Sequence, residues 1–410
     1  MALDVRVLQG EDALRGIGHY TRGLAEGLLR LASSDQTDVE YVLLVATGRP
    51  RPDLRTDGAV AVVEVEAPGT ATPRRTGGAP SCAGSAAEGL MERLAGHERG
   101  AGALLRAART ARARVLHVAS PLHGPFPWAP WRAGCTAASF YDLIPWLHAE
   151  EFLERWSPEA RRRYRRRVAR LARLDALFAI SQSAAEDVVA HAGVHRERVN
   201  EAYPGLRDVF LKPAARPEEK AAGATGSPRA TPYVLAFAST NPSKNTPLLL
   251  SAWRRLPPAA RAGHVLRLVV PAGSGGEPAW READNSTVVV EAPDDTALAA
   301  LYARATCFVC PSQAVGFGLP PLEAAAAGAP VIASSIAVLR EVLGDAAEYF
   351  SPGSAEDLAG VLGRVVGDAS LRAGLSARGQ ARAREFTWER TAREVARVHA
   401  RLGRTGSCCQ

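Results

Sequence analysis

The chain has 410 residues, enough for two or three domains of ordinary size. Hydrophobic residues make up 47% of it and charged residues 23%, which is typical of a globular protein and excludes a wholly disordered chain. The net charge of +7 is small for this length and does not indicate a nucleic-acid-binding protein. We find no apolar run long enough to span a membrane and no leader pattern, and we expect a cytoplasmic protein.

Two of the six cysteines, Cys307 and Cys310, have the Cys-x-x-Cys spacing of redox and zinc sites. They lie in the apolar run TCFVCPS, which is typical of a buried strand, and no second pair of ligands is nearby. We therefore interpret both cysteines as structural residues and predict no metal site.

Short apolar strands alternate with amphipathic helices along the chain, a pattern that favours parallel sheets built from βαβ units. In the first half we predict strands at 3–8, 40–46, 60–66, 114–118, 136–140 and 177–181, and helices at 20–31, 155–174 and 184–192. In the second half we predict strands at 233–238, 265–270, 286–292, 306–311 and 330–334. The two series predict two α/β domains.

The segment 211–231 is polar, contains proline and glycine, and is the clearest linker in the chain. It separates an N-terminal domain at 1–210 from a C-terminal domain at 232–385. Residues 67–110 are rich in Gly, Ala, Pro and Arg, and we interpret them as an insertion that is mobile in part. Two doubly wound domains that face one another leave a crevice at the carboxyl ends of their strands, where nucleotides often bind.

The predicted helix at 155–174 carries many arginines around an apolar stripe of Tyr164, Val168, Leu171 and Leu174. The helical spacing of the stripe indicates core packing. The arginines fit two interpretations, a solvated face or a surface for anionic lipid or an anionic substrate. The second would make the protein peripheral at the inner face of the membrane. The arginines match no known nucleic-acid-binding motif, and we expect no nucleic-acid partner.

The segment 311–334 carries the strongest functional signal. A strand ends at Pro311, the turn Gly316-Phe317-Gly318-Leu319 follows, and two prolines open a helix, as suits the first helical turn. Free N–H groups and the dipole at the start of such a helix favour an anion. Glu323, near the start of the helix, is placed to reach hydroxyl groups of the same ligand.

The string Gly-Phe-Gly-Leu-Pro-Pro-Leu-Glu at 316–323, followed by Gly328 and Pro330, resembles the donor-site signature of retaining nucleotide-sugar glycosyltransferases of family 4. Further segments that resemble the family in order and spacing lie at 16–21, 141–145, 179–183, 241–245, 298–302 and 386–388. The resemblance extends over nearly the whole chain, apart from 67–110 and the residues after about 401.

The resemblance implies a GT-B fold, in which two Rossmann-like domains face each other across a cleft. The C-terminal domain would bind the nucleotide-sugar donor and the N-terminal domain a hydroxyl acceptor, either a small molecule or a glycan. Residues 386–403 would form a helix that crosses back to the N-terminal domain, and 404–410 a tail. The sugar would be transferred with retention at the anomeric carbon, without a cofactor or a required metal. The sequence agrees with the last point, since it has no Asp-x-Asp motif.

The resemblance also implies roles for individual residues. Lys244 would contact the donor diphosphate, where negative charge grows as the phosphate leaves, although a solvated turn lysine is the alternative. Glu323 would hold the ribose hydroxyls. The other predicted donor-binding residues are Gly16, Gly18, Val315, Gly316, Phe317, Gly318 and Leu319.

The catalytic candidates are Lys244 and the pair Tyr141 and Asp142, which follows a predicted strand at its carboxyl end. Asp142 has a second interpretation as a residue that caps a turn. His19 is an acceptor-side candidate, with an ordinary surface histidine at a helix start as the alternative.

Three positions depart from the family pattern. Val315 replaces a glutamate that contacts the donor sugar, Ser239 or Ser243 replaces an arginine beside the phosphate lysine, and Tyr141 replaces a histidine. One hypothesis is a donor with a deoxygenated or otherwise unusual sugar packed against Val315. The other is a catalytically weakened homologue that binds only a nucleotide or a partner protein. The arginine-rich composition suggests a high-GC bacterium, in which the acceptor could belong to antibiotic or cell-wall glycan biosynthesis.

Overall fold

A computed structural model describes residues 1–10, 13, 16–34, 36–56, 60–65, 101–122, 131, 134–211, 231–261, 263–270, 280, 286–291 and 293–405. Most of the expected linker at 211–231 and of the tail at 404–410 lies outside the described residues, as do residues 66–100 of the expected insertion. Internal contacts divide the chain into two units. The first unit is Met1–Gly205 with Thr387–Gln410, and the second is Leu206–Phe386.

Each unit contains a parallel sheet. The strands of the first sheet are β1 (Ala2–Asp4), β2 (Val42–Ala46), β3 (Ala61–Val65), β4 (Val115–Val118), β5 (Cys135–Phe140), β6 (Ala176–Ala179) and β7 (Val199–Glu201). Those of the second are β8 (Tyr233–Phe237), β9 (Val265–Val270), β10 (Thr287–Glu291), β11 (Cys307–Cys310), β12 (Val331–Ser334) and β13 (Ala347–Phe350). The spatial orders are β3-β2-β1-β4-β5-β6-β7 and β10-β9-β8-β11-β12-β13. Both orders reverse direction once, as in doubly wound sheets, between β1 and β4 and between β8 and β11.

The α-helices of the first half are α1 (Gly16–Ser33), α2 (Ala101–Thr110), α3 (Ile144–Leu147), α4 (Pro158–Arg170), α5 (Gln182–Ala192) and α6 (Asp208–Leu211). Those of the second half are α7 (Thr246–Arg255), α8 (Pro258–Arg261), α9 (Asp295–Arg304), α10 (Leu319–Ala326), α11 (Ala337–Leu343), α12 (Ala355–Gly367), α13 (Ala369–Ala383) and α14 (Trp388–Thr405). Within the described ranges, none of these helices is both long and apolar enough to cross a membrane.

The predicted strand at 3–8 is wrong in its second half. The strand ends at Asp4, and a 3₁₀ helix follows at Arg6–Gln9. The Asp4 carboxylate accepts a hydrogen bond from the Arg6 backbone N–H at 3.3 Å and pairs with the Arg6 Nε at 2.7 Å. This local bonding turns the backbone away from the extended conformation.

The last helix, α14, packs against α1 within the first unit. Small residues make the close approach possible, since a Cβ at Gly23 would lie 2.1 Å from the Trp388 ring. At Gly27 a Cβ would lie 2.9 Å from the Cβ of Ala392. The glycines of α1 therefore form a groove that fits Trp388 and the first turns of α14.

A buried histidine pair joins α14 to the first sheet. The Nδ1 of His117 on β4 lies 3.0 Å from the Nε2 of His399 on α14. The remaining ring nitrogens lie 2.9 Å from the Ser139 hydroxyl and 3.3 Å from the Tyr41 hydroxyl. Burial lowers the pKa of His117 to about 3 and that of His399 well below its usual value. Both rings are therefore neutral near pH 7.

Candidate functional site

The loop 311–318 follows β11 and leads into α10, beside the point where the second sheet reverses its strand order. Gly318 has a φ of +97°, a left-handed conformation that glycine adopts without strain. A Cβ there would also lie 2.7 Å from the Leu339 side chain. Glycine is therefore required at this position for the chain to enter α10.

The start of α10 offers fewer hydrogen-bond donors than the sequence analysis expects. Pro320 and Pro321 are the second and third residues of the helix and carry no N–H group. The Leu322 N–H is directed to the Gly318 carbonyl at 3.3 Å. Of the first four helical residues, only Leu319 retains an N–H without an intrahelical partner, so an anion here would depend more on nearby side chains.

Lys244 lies in a turn at the neighbouring strand end. A 3₁₀ helix at Pro242–Lys244 follows β8, and the Asn241 side chain accepts a hydrogen bond from the Ser243 N–H at 3.0 Å. The Ser243 carbonyl in turn accepts from the Gln313 N–H of the loop 311–318 at 2.9 Å. This bond ties the Lys244 turn to that loop on the two sides of the switch point. Within the described ranges, Lys244 has no carboxylate at ion-pair distance.

Glu323 lies in a charged cluster that the sequence analysis does not predict. Its Oε1 accepts a hydrogen bond from Nη2 of Arg207 at 2.9 Å, and Nη1 of Arg207 lies 2.5 Å from the Asp295 carboxylate. The Glu323 side chain is only 8% exposed. Burial raises the pKa of Glu323, and the Arg207 guanidinium acts in the opposite direction. Arg207 lies 116 residues from Glu323 in a chain rich in arginine, so no sequence signal marks it.

Gly16 and Gly18, which the resemblance assigns to donor binding, belong to α1. The helix begins at Gly16, four residues earlier than predicted, and His19 lies half-buried in the same first turns. Gly18 is buried, and the backbone at Gly16 is open, with no atom within 4 Å of a Cβ position. These residues thus lie at a helix start in the first unit.

Tyr141 is buried after β5, with its ring edge-on to that of Tyr20 at 5.5 Å. Burial raises the pKa of Tyr141 far above its usual value, so the phenol stays protonated and can act only as a hydrogen-bond donor or acceptor. The Oδ1 of Asp142 accepts a hydrogen bond from the Ile144 N–H at 3.1 Å. Asp142 therefore caps the turn into α3, the second of its two sequence-based interpretations.

The structure thus groups the candidates by unit. Lys244, the stretch 315–319 and Glu323 share the second unit, whereas Gly16, Gly18, His19, Tyr141 and Asp142 belong to the first. Cys307 and Cys310 are buried free thiols on β11, as expected for structural residues. The described part of the chain contains no group of three or more His, Cys, Asp or Glu side chains that could hold a metal ion.

Two family models match the chain. The model described as "Glycosyl transferases group 1" matches residues 217–382, and the "Glycosyl transferase 4-like domain" matches residues 15–205. The chain is 30% identical over 300 residues to the D-inositol 3-phosphate glycosyltransferase of Xylanimonas cellulosilytica, an alignment that covers 67% of this chain and 70% of that protein. It is also 30% identical over 270 residues to the serotype-specific mannosyltransferase WbdA of Escherichia coli, covering 64% of this chain. The alignment covers only 32% of WbdA.

Solved structures resemble the whole chain. Sucrose-phosphate synthase from Thermosynechococcus elongatus aligns with a TM-score of 0.72 at 17% identity, over 99% of each chain. Anabaena HepE in complex with UDP aligns with a TM-score of 0.64 at 16% identity, over 98% of this chain and 99% of that one. These similarities and the two parallel sheets define the GT-B fold predicted from the sequence. The chain belongs to the group 1 glycosyltransferases.

Proposed function

We propose that this protein transfers a sugar from a nucleoside-diphosphate sugar to a hydroxyl acceptor with retention of anomeric configuration and without a metal. The observation that carries the proposal is the bond from Gln313 to Ser243, which places the Lys244 turn beside the loop 311–318 at the switch point of the second sheet. Glu323 follows on the helix that this loop opens. The family matches support the same reaction class.

In the proposed reaction the bond between the anomeric carbon and the diphosphate breaks and a bond to the acceptor oxygen forms, while the acceptor hydroxyl gives its proton to the departing diphosphate oxygen. The diphosphate gains negative charge as it leaves. Lys244, which has no competing carboxylate among the described residues, is suited to stabilise that charge. Glu323 would accept the ribose hydroxyls, and residues 315–319 would line the sugar and phosphates.

The names of the relatives bear on the donor and the acceptor. WbdA is named a serotype-specific mannosyltransferase, which favours a hexose donor and a surface glycan. The Xylanimonas relative is named a D-inositol 3-phosphate glycosyltransferase, which keeps a small-molecule acceptor as the alternative. We propose an acceptor of the cell-surface glycan class, with an antibiotic-type small molecule as the alternative. Val315 places an apolar side chain where family members have a glutamate, which favours a sugar with an apolar group at that position.

A thermal-shift panel with UDP, GDP, dTDP and ADP tests the donor site. A nucleotide at 100 times its dissociation constant should stabilise the protein by about 2.7 kcal/mol. That corresponds to a rise of roughly 5–10 °C in melting temperature for domains of this size. We expect one nucleotide to exceed the others and its sugar conjugates to be turned over with an acceptor. Binding without turnover would favour the weakened homologue, and no shift with any nucleotide would contradict the donor site.

The basic helix supports a second proposal, contact with an anionic membrane surface. Arg162, Arg165 and Arg166 are exposed and share one face of α4, whereas Arg167 is buried and donates to the Leu122 carbonyl at 3.0 Å. Replacing the three exposed arginines with glutamine should reduce co-sedimentation with phosphatidylglycerol vesicles, since each basic residue near such a surface contributes about 1 kcal/mol. Three exposed arginines of α14 are the matched control. Equal losses in both variants would favour a merely solvated face.

A further inference from the structure

Arg207 occupies an unusual position in the second unit. Its guanidinium lies between the carboxylates of Glu323 and Asp295, at 2.9 Å and 2.5 Å, and 4.7 Å above the ring of Phe210. Phe210 is fully buried, and a cation over an aromatic face is held electrostatically. These three contacts fix the guanidinium, so the oxygen that it binds on Glu323 is fixed as well.

The Glu323 carboxylate faces two side chains of the second unit. Arg207 donates a hydrogen bond to its Oε1 at 2.9 Å. The hydroxyl of Tyr302, which is completely buried, faces the same carboxyl and favours its charged form. A carboxylate has about four acceptor positions, so these two contacts orient it and leave acceptor positions for a ligand hydroxyl group.

We propose that Arg207 is a positioning residue for the donor nucleotide, because its ion pair holds Glu323 as an oriented, ionised acceptor for the ribose hydroxyls. The proposal rests on the proposed function, since it takes Glu323 as the ribose ligand. Sequence resemblance assigns no role to Arg207, and the role follows from its contacts with Glu323, Asp295 and Phe210.

The physical need for Arg207 follows from the surroundings of Glu323. A buried carboxylate without a counter-charge takes up a proton, and a protonated carboxyl accepts hydroxyl groups poorly. Asp295 on α9 raises the pKa of Glu323, whereas the Tyr302 hydroxyl on the same helix lowers it without supplying a counter-charge. Ser376, Gly379 and Gln380 of α13, which contact α10 or the turn after it, are uncharged. Cys310 lies behind Tyr302. Arg207 is therefore the only cation that faces Glu323 among the described residues.

The test is the affinity for UDP and for GDP between pH 6.0 and 8.5, measured by calorimetry. We expect Arg207→Met to lose at least tenfold in affinity relative to the parent at pH 6.0 and clearly less at pH 8.5, because a higher pH favours the ionised form of Glu323. Arg207→Lys should restore most of the parent's pH profile. Arg364→Met, which removes a surface partner of Glu348, is the matched control in the same unit.

The preference for ribose over 2′-deoxyribose distinguishes a positioning role of Arg207 from a role in folding. The parent should prefer UDP and GDP over their 2′-deoxy forms, and Arg207→Met should lose that preference at pH 6.0 while melting as one folded species. If Glu323→Gln binds like the parent, the proposed donor site itself is wrong. If Glu323→Gln is weakened but Arg207→Met follows the parent at every pH and keeps the ribose preference, only the positioning role is overturned.

Discussion

Lys244→Ala should weaken the binding of nucleoside diphosphates by roughly 10- to 100-fold, since the loss of one charged hydrogen bond costs on the order of 1.5–3 kcal/mol. The expected effect is at the upper end because the neighbouring position that often holds an arginine is a serine. Ser243 cannot replace that cation, because it is buried and its hydroxyl donates to the Asn241 side chain at 2.9 Å. The turn therefore carries no second cation that could contact the diphosphate.

A comparison of nucleoside diphosphates with nucleosides tests whether Lys244 acts on the phosphates. The affinity for UDP or GDP should fall, whereas that for uridine or guanosine should stay within about twofold, because the lysine contacts only the phosphates. Arg255→Ala removes an exposed cation from the following helix and should change neither affinity. An equal loss for nucleoside and diphosphate would show that Lys244 supports the fold instead of the phosphates.

The fold class could be predicted from the sequence because its strands are short apolar runs at regular spacing. The strands at Tyr233–Phe237, Val265–Val270 and Cys307–Cys310 lie within the predicted ranges. The sequence analysis assigns no element to 335–385, where the structure has α11, β13, α12 and α13. The helix α13 is rich in Ala, Gly and Arg, and β13 is only four residues long, so the apolar period is weak in both. The helix α12 has a clear helical period at Leu358, Val361, Leu362 and Val365, which the sequence analysis missed.

The candidate site could be predicted only in part, because residue type and spacing do not reveal partners. The motif at 316–323 gives the chain position of Glu323, but not that Arg207 already binds one of its oxygens. The pattern predicts that the two prolines open the helix, and the same residues remove two N–H donors from the helix start. The ion pair and the missing N–H donors both depend on which groups the fold brings together. The assignment of the site residues to donor and acceptor remains a prediction.

Acidification should destabilise the first unit through its buried histidine pair. Unfolded histidines have a pKa of about 6.5, whereas burial lowers the folded pKa of His117 to about 3, so unfolding takes up protons below pH 6.5. The stability is therefore complete above pH 6.5 and is lost as the pH falls toward 3, by on the order of 4 kcal/mol for His117 alone. The Asp4 carboxylate opposes this shift at His117, and the N-terminal ammonium reinforces it at His399.

Urea unfolding at pH 7.5, 6.0, 5.0 and 4.0 measures the loss of unfolding free energy. Replacement of both histidines then tests whether the pair causes that loss. Replacing both His117 and His399 with glutamine should lower the stability at pH 7.5, because the hydrogen bonds to Ser139 and Tyr41 are disturbed. It should also flatten the dependence on pH below 6.5, since glutamine takes up no proton. His195→Gln removes an exposed histidine and should leave the parent's slope unchanged. If the double variant keeps that slope, carboxylates elsewhere cause the acid lability, and the histidine pair only packs α14 against the sheet.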